Sequence, residues 1–211
     1  MLLRFSLLLN LIFLCFGVFL LYNYRDRVMQ YIYPPNKEHV KIIMVGDSKT
    51  AYGDWSRRLN RFDIKNMGVP AYTSFNINWH VRGLLEEYHP KIVFIEGGVN
   101  DFYFGYSVED TYKHLTSIYD TLQKREVKVI VQSTLLTRID EGMNDSIVLL
   151  NNKLYEYCQQ HNLEFLDLNL SLSEQGKLKP AYTKDGVHLT EEGYDSWTKL
   201  IKDCLSRKEN D

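Results

Sequence analysis

This chain of 211 residues has few cysteines, little net charge and no repetitive composition. Its three cysteines, at positions 15, 158 and 204, are odd in number and match no metal-ligand spacing, which argues against a disulfide framework or a cysteine-bound metal. A formal net charge of −2 leaves no basic field of the kind that holds nucleic acid. Five prolines and 12 glycines exclude fibrous and low-complexity proteins. The chain has the length of one globular domain.

One long apolar run is present, from Phe5 to Tyr22, and only Ser6 and Asn10 interrupt it. Its 18 residues suffice for a helix that spans the hydrocarbon core of a bilayer, about 30 Å thick. No small-residue cleavage site follows the run, as a secretory signal requires. Large residues precede Cys15, which argues against a lipoprotein signal, and no polar face develops as in a core helix. The run therefore predicts an uncleaved membrane anchor.

The anchor divides the chain into four predicted segments: an anchor at 1–28, a linker at 29–39, a globular domain at 40–207 and a polar tail at 208–211. Basic residues flank the apolar run almost equally, so the charge rule does not decide the orientation. A long downstream domain translocates largely regardless of local charge. We therefore expect a single-pass membrane protein whose domain lies on the extracytoplasmic side.

Strand and helix patterns alternate through the rest of the chain. Five short apolar runs predict strands, at 40–45, 62–65, 92–95, 127–131 and 164–168. Stripes of apolar residues at helical spacing lie between and after them, at 77–88, 108–122, 147–158 and 194–205. This alternation predicts an α/β sandwich with a five-stranded parallel sheet. The run at 62–65 alternates in polarity and suits an edge, whereas runs that are apolar on both faces suit central strands, and the strand order 2-1-3-4-5 fits both facts.

Chemically useful residues follow the predicted strands. Ser48 comes after strand 1, Gly68 after strand 2 and Asn100 after strand 3, while Asp185 and His188 follow strand 5. Parallel sheets bind ligands beyond the carboxyl ends of their strands. A serine needs a base to become a nucleophile, the base needs a carboxylate to orient it, and a tetrahedral oxyanion needs donors. These residues therefore predict acyl transfer.

Four short blocks carry a resemblance to a known family: Gly-Asp-Ser at 46–48, the glycine at 68 after Asn66, Gly-Val-Asn-Asp at 98–101 and Asp-Gly-Val-His at 185–188. In content and order they resemble the SGNH, or GDSL, hydrolases, over about residues 40 to 205. The resemblance implies a flavodoxin-like three-layer α/β/α sandwich. It also implies Ser48 as nucleophile, His188 as base and Asp185 as its orienting carboxylate. The implied oxyanion donors are the backbone amides of Ser48 and Gly68 and the side chain of Asn100.

The chain departs from the family pattern in three places, one of which is the loop at 133–138 after strand 4, where the family often has a proline. Ala71 stands where the family often has a second glycine, and Lys49 follows the serine where an apolar residue is commoner. These departures bear on substrate preference more than on catalysis. Lys49, Tyr72, Phe102 and Tyr103 are the candidate substrate-binding residues, and no cofactor or metal is expected.

The leading hypothesis is a membrane-tethered serine esterase that removes acetyl or other short acyl groups from a carbohydrate or a cell-envelope glycan. A lysophospholipase or thioesterase suits the tether as well. An O-acyltransferase uses the same residues. Outside the enzymes, the alternative is a degenerate surface binding domain, and the intact catalytic set argues against it. The sequence leaves the oligomeric state and the natural acyl group open.

Overall fold

The structure is a computed structural model that describes residues 13–14, 17 and 37–208. The chain divides into two units, Met1–Asn36 and Lys37–Asp211, and the fold below is that of the second. The predicted anchor at 1–28 lies almost wholly outside the described residues. Within the part of the chain that is described, no helix is both long and apolar enough to cross a membrane.

Seven strands and eight α-helices make up the described part of the second unit. The strands are β1 (Ile42–Val45), β2 (Ile64–Asn66), β3 (Ile92–Ile95), β4 (Lys128–Gln132), β5 (Glu164–Leu166), β6 (Ser173–Glu174) and β7 (Lys177–Leu178). The helices are α1 (Ser48–Tyr52), α2 (Trp55–Leu59), α3 (Ser74–Glu87), α4 (Val99–Tyr103), α5 (Val108–Gln123), α6 (Glu141–His161), α7 (Asn169–Leu172) and α8 (Glu191–Lys208). Lys37–His39 and Pro180–Tyr182 form short 3₁₀ turns.

The main sheet is parallel and has the order β2-β1-β3-β4-β5, which confirms the predicted topology. In β1 the pairing aligns Ile42 with Ile64 of β2 on one side and with Ile92 of β3 on the other. A separate antiparallel hairpin joins β6 to β7. Because β1 lies between β2 and β3, the chain leaves it at the switch point of the sheet, where ligands bind in folds of this kind.

Alternate strand residues divide the core into two layers, as the period of two in a strand requires. Ile43, Val45 and Val93 face α3, α5 and α6. Met44 and Phe94 face the other side, where α2 and α8 cover them with Trp55, Trp197 and other large side chains. The three predicted layers are therefore present, and the helices on both faces explain why the central strands are apolar throughout.

The predicted elements exist, but several of their ends differ from the prediction. Helix α6 begins at Glu141, six residues before its first apolar position, because Asp140 caps it by accepting a hydrogen bond from the Met143 amide at 3.1 Å. Thr190 precedes α8, and its hydroxyl accepts from the Gly193 amide at 3.2 Å. The short helices α1, α2, α4 and α7 escape prediction because one turn has no periodicity to detect.

Candidate active site

Ser48 begins α1 directly after the turn that ends β1. A Cβ on Gly46 would lie 2.5 Å from the Glu96 carbonyl oxygen and closer still to the Thr50 hydroxyl, so only glycine lets the chain pass here. Asp47 caps the helix, and its Oδ1 accepts from the Lys49 amide at 2.9 Å. The turn holds Ser48 largely buried, at 8% exposure.

The structure brings Ser48, His188 and Asp185 into one hydrogen-bonded chain. Ser48 Oγ lies 3.0 Å from His188 Nε2. On the other side of the ring, His188 Nδ1 lies 2.6 Å from Asp185 Oδ2. A carboxylate can only accept, so Nδ1 carries the ring proton and Nε2 is left to accept the serine proton. The arrangement is that of a nucleophile, its base and the group that orients the base.

Asp185 is kept ionised by the loop that carries it. Its Oδ1 accepts from the backbone amides of Val187 and His188, at 2.9 and 2.8 Å. Partial burial works against ionisation, but the hydrogen bonds from the His188 amide, the His188 ring and the Val187 amide outweigh it and lower the pKa of Asp185 to about 2. The imidazolium that forms during acyl transfer would therefore face a full negative charge.

Local hydrogen bonds shape the loop between Thr183 and Leu189, whose ends form an isolated antiparallel bridge. The Thr183 hydroxyl accepts from the Gly186 amide at 2.8 Å and donates to the His188 carbonyl at 3.0 Å. Gly186 has a φ of +91°, a conformation that glycine adopts without strain. Its carbonyl accepts from the Arg138 amide at 2.8 Å, which ties the loop to the segment after β4.

Asn100 lies in the first turn of α4, and Gly98 at its N-cap has a φ of +116°. The Asn100 side-chain amide donates to the Tyr72 carbonyl at 2.9 Å. That bond uses one of the two amide hydrogens, so the second is left for an oxyanion. Ser48, the first residue of α1, offers a backbone amide from the first turn, where helical partners are lacking.

Gly68, the other predicted oxyanion donor, uses its backbone amide in another hydrogen bond. Its amide donates to Asn66 Oδ1 at 3.0 Å, and the same Asn66 side chain donates to the carbonyls of Thr50, Ala51 and Gly53. Asn66 thereby ties the loop after β2 to α1. The role of the Gly68 amide in an oxyanion hole stays a prediction, and it requires this bond to be shared or exchanged.

Ala71, which stands where the family often has a glycine, has a backbone conformation that favours glycine. It is exposed and has a φ of +64°, a left-handed conformation that a non-glycine residue adopts at a cost of about 1–2 kcal/mol. It directly precedes Tyr72, whose carbonyl holds Asn100. Strain of this kind gathers at functional sites. The glycine that the family often has here was the signal that pointed to this position.

The candidate substrate-binding residues separate into different environments. Lys49 is 1% exposed and its ammonium group is paired with two buried carboxylates, so the prediction that it touches substrate is wrong. Tyr72 and Phe102 are partly buried and pack against the core. Tyr103 is 69% exposed, with its ring against Phe104. For these three aromatic residues, substrate contact stays a prediction.

Tyr52 belongs to the site but was missed. It lies four residues after Ser48 at the end of α1, its ring centroid is 5.8 Å from that of His188, and it is 49% exposed. The spacing of four on a helix was the available signal. In residues 13–14, 17 and 37–208, no group of three or more His, Cys, Asp or Glu side chains is placed to hold a metal ion.

Comparison with known proteins identifies the family. The family model of the GDSL-like lipase/acylhydrolase family matches residues 43–195, which include every residue of the site. The chain belongs to this family. Its strand-end blocks predicted this membership.

Individual proteins resemble this chain in sequence or in fold. The N-acylneuraminate cytidylyltransferase of Streptococcus agalactiae is 30% identical over 167 residues, an alignment that covers 76% of this chain and 37% of that protein. This chain thus spans little more than a third of the length of the curated relatives it matches. A GDSL-like lipase from Bacteroides thetaiotaomicron is 24% identical, covers 89% of this chain and 96% of its own, and has a TM-score of 0.72. An acetyl xylan esterase is 18% identical, covers 79% and 100%, and has a TM-score of 0.68. The likeness to these two structures shows the shared fold.

Proposed function

We propose that this hydrolase cleaves short-chain acyl esters, above all acetyl esters of a carbohydrate, through an acyl-enzyme on Ser48. The observation that carries the proposal is the continuous chain from Ser48 Oγ to His188 Nε2 at 3.0 Å and from His188 Nδ1 to Asp185 at 2.6 Å. His188 takes the serine proton as Oγ attacks the ester carbonyl. It then gives the proton to the departing alcohol, and water reverses the sequence to release the acid.

Charge on the tetrahedral oxygen is stabilised from the strand ends that flank the switch point. The Ser48 amide and the free hydrogen of the Asn100 amide are two donors. The third comes from the loop at 68–71, where the Ala71 amide is the better candidate. The Gly68 amide already serves Asn66, whereas Ala71 adjoins the carbonyl that Asn100 holds.

The carbohydrate part of the proposal has two supports. The curated relatives carry the name of an enzyme that acts on N-acylneuraminate, an acylated sugar, and their alignment covers 76% of this chain. Tyr52 is the second support. The alcohol departs beside the histidine that protonates it, and a half-exposed aromatic ring next to His188 offers that alcohol an apolar face. Aromatic rings of this kind suit the C–H faces of sugars as well as other apolar groups.

The tether is proposed from the sequence. The run from Phe5 to Tyr22 has the length and composition of a membrane-spanning helix, and an extracytoplasmic domain would meet envelope glycans. Residues 29–211 without the run are expected to remain in the supernatant when membranes are sedimented, while the full chain sediments with them. Equal distribution of the two proteins would contradict the anchor.

A substrate series tests the acyl group and the alcohol separately. The purified protein is assayed with p-nitrophenyl esters from acetate to dodecanoate, and then with O-acetylated sugars, with release of acetate measured in each case. We expect the highest kcat/KM with acetate and turnover of at least one acetylated sugar. A maximum at long chains supports a lysophospholipase or thioesterase instead. Acyl transfer to added sugar without free acid indicates a transferase, and no turnover of any ester supports a binding domain.

A further inference from the structure

Three charged side chains lie buried together beneath the serine. Asp47, Lys49 and Glu96 are 0%, 1% and 0% exposed. Lys49 Nζ donates to Asp47 Oδ2 at 2.7 Å and lies 3.5 Å from Glu96 Oε1. None of the three reaches solvent or substrate, and the acyl-transfer steps above use none of them. They form what we call the buried charge cluster, defined by these three residues.

Stability does not explain why this chain keeps the cluster. Removing charges from water carries a large desolvation cost, and a buried ion pair replaced by apolar residues of similar volume often leaves a protein as stable or more stable. The surroundings of the cluster are well suited to apolar groups, since Met44 and Phe94 next to it in the sheet are fully buried. The position of the cluster offers a better explanation.

The cluster joins the two strand ends that carry the site. Asp47 and Lys49 flank Ser48 after β1, and Glu96 directly follows β3, four residues before Asn100. Lys49 is also held at its backbone, where its carbonyl accepts from the Tyr194 hydroxyl at 2.8 Å. Asp47 uses one carboxylate oxygen for the Lys49 amide and the other for the Lys49 ammonium, so the two bonds fix the turn on both sides of Ser48.

We propose that Lys49 is a positioning residue: its buried ammonium bridges Asp47 and Glu96 and so holds the Ser48 turn in register with the strand end that presents Asn100. The inference rests on the proposed role of Ser48. Acyl transfer depends on the distance from Oγ to both the base and the oxyanion donors, and displacement by about 1 Å can lower turnover by about 10²-fold. Polar contacts from a charged ammonium, to the Asp47 carboxylate and to the neutral Glu96 carboxyl, fix direction and distance, which apolar packing does less sharply.

The charge of the cluster depends on pH. Burial and then the negative charge of Asp47 raise the pKa of Glu96 to about 8, although Lys49 and the Leu135 amide oppose the shift. The other titratable groups that face Glu96 are Tyr119 of α5 and Tyr194 of α8, and the pKa values of both are raised, chiefly by burial. Below about pH 8 the cluster therefore holds one positive and one negative charge. Above it, ionised Glu96 competes with Asp47 for the ammonium, which weakens the contact that holds the Ser48 turn.

A paired substitution in the full chain tests the positioning role. Asp47→Asn with Lys49→Met removes both charges at once, and asparagine still caps a helix. We expect circular dichroism and Tm close to those of the wild type, with kcat for p-nitrophenyl acetate lowered by about 10²-fold and KM changed by less than about 3-fold. Lys153→Met, on the surface of α6, is the control for loss of a lysine and should leave kcat unchanged. A paired variant with wild-type kcat overturns the proposal.

The pH profile of Glu96→Gln decides the matter even if the paired variant does not fold. Wild-type kcat/KM, corrected for spontaneous hydrolysis, should decline above about pH 8, and Glu96→Gln should show no decline there. A decline that Glu96→Gln retains, or its absence in the wild type, overturns the proposal. Ser48→Ala assayed in parallel separates the two claims. If Ser48→Ala stays active, the role of Ser48 is wrong; if it is inactive while the paired variant is fully active, only the inference about Lys49 fails.

Discussion

The two halves of the candidate site are held in opposite ways. The serine half is buried: Ser48 is 8% exposed, and its neighbours Asp47 and Lys49 are inaccessible. The histidine half is open, since the side chains of His188 and Asp185 are 37% and 53% exposed. Contacts between distant strands fix the first, whereas hydrogen bonds within one short loop fix the second.

This difference separates the consequences of mutation in the two halves. A change that adds bulk to the backbone of the serine turn, as at Gly46, disturbs the sheet and the core below it, so both stability and activity should respond. A change in the histidine loop should alter the orientation of the ring while the core remains intact. Exposed, locally bonded segments open at low free-energy cost. The loop that carries His188 is therefore the half expected to move as substrate enters.

The largest expected effect comes from removing the nucleophile. Ser48→Ala should lower kcat by about 10³-fold or more at unchanged Tm, because only binding and oxyanion stabilisation remain. Ester turnover and thermal unfolding are measured together. Ser146→Ala, which removes a hydroxyl from α6, serves as the control and should retain wild-type kcat. Retention of more than a tenth of the activity by Ser48→Ala excludes this serine.

The next effect distinguishes an oxyanion donor from an orienting carboxylate. Asn100→Ala should lower kcat by about 10²–10³-fold with little change in KM, because it removes a donor that matters most in the transition state. Asp185→Asn should also slow acylation, because His188 loses the partner that fixes its tautomer.

Labelling by an organophosphonate separates the two variants. Labelling of Ser48 depends on activation of the serine, so Asp185→Asn should slow labelling more than Asn100→Ala does. Both variants should label more slowly than the wild type, because phosphonylation also develops oxyanion charge. If Asn100→Ala abolished labelling and Asp185→Asn labelled like the wild type, the two roles would be reversed.

Sequence reasoning reached the five-stranded order and brought Ser48, Asn100, Asp185 and His188 to one edge, because strand periodicity and strand ends are local features that a topology rule then assembles. It failed for Lys49, which was expected at the substrate. Burial of a lysine depends on two carboxylates, and one of them, Glu96, is 47 positions away. It also missed the hydrogen bond from the Gly68 amide to Asn66, since the sequence does not show which polar groups of a loop bond to one another.

Replacing one glycine in each half of the site by alanine tests the difference between the two halves. Gly46→Ala forces a Cβ to 2.5 Å from the Glu96 carbonyl oxygen in a buried turn, so we expect a loss of about 3 kcal/mol or more, seen as a Tm lower by roughly 10 °C or as insoluble protein. In Gly186→Ala, the added Cβ would lie 2.7 Å from the Ile139 side chain, and the φ of +91° is unfavourable for alanine. Ile139 is half exposed and can move, so we expect a loss of stability of about 1–2 kcal/mol and a roughly 10-fold lower kcat.

Gly176→Ala is the matched control for backbone conformation alone, because Gly176 has a φ of +73° and no atom within 4 Å of the added Cβ. It should lose stability to about the same extent as Gly186→Ala while kcat stays at the wild-type value. Thermal unfolding and kcat are measured for all three variants. If Gly186→Ala destabilises the fold more than Gly46→Ala, the histidine loop carries more of the core than its exposure indicates.

The smallest expected effect lies where the two halves meet, at Tyr52. Its ring lies 5.8 Å from that of His188, the residue that protonates the departing alcohol in the proposed reaction. Tyr52→Ala should raise KM for an acetylated sugar by about 2- to 10-fold, the equivalent of one aromatic contact, and should change KM for p-nitrophenyl acetate less. Tyr52→Phe keeps the ring and should behave like the wild type with both substrates. If Tyr52→Ala lowers kcat equally for both and leaves each KM alone, the ring acts only by holding His188, and the sugar is recognised elsewhere.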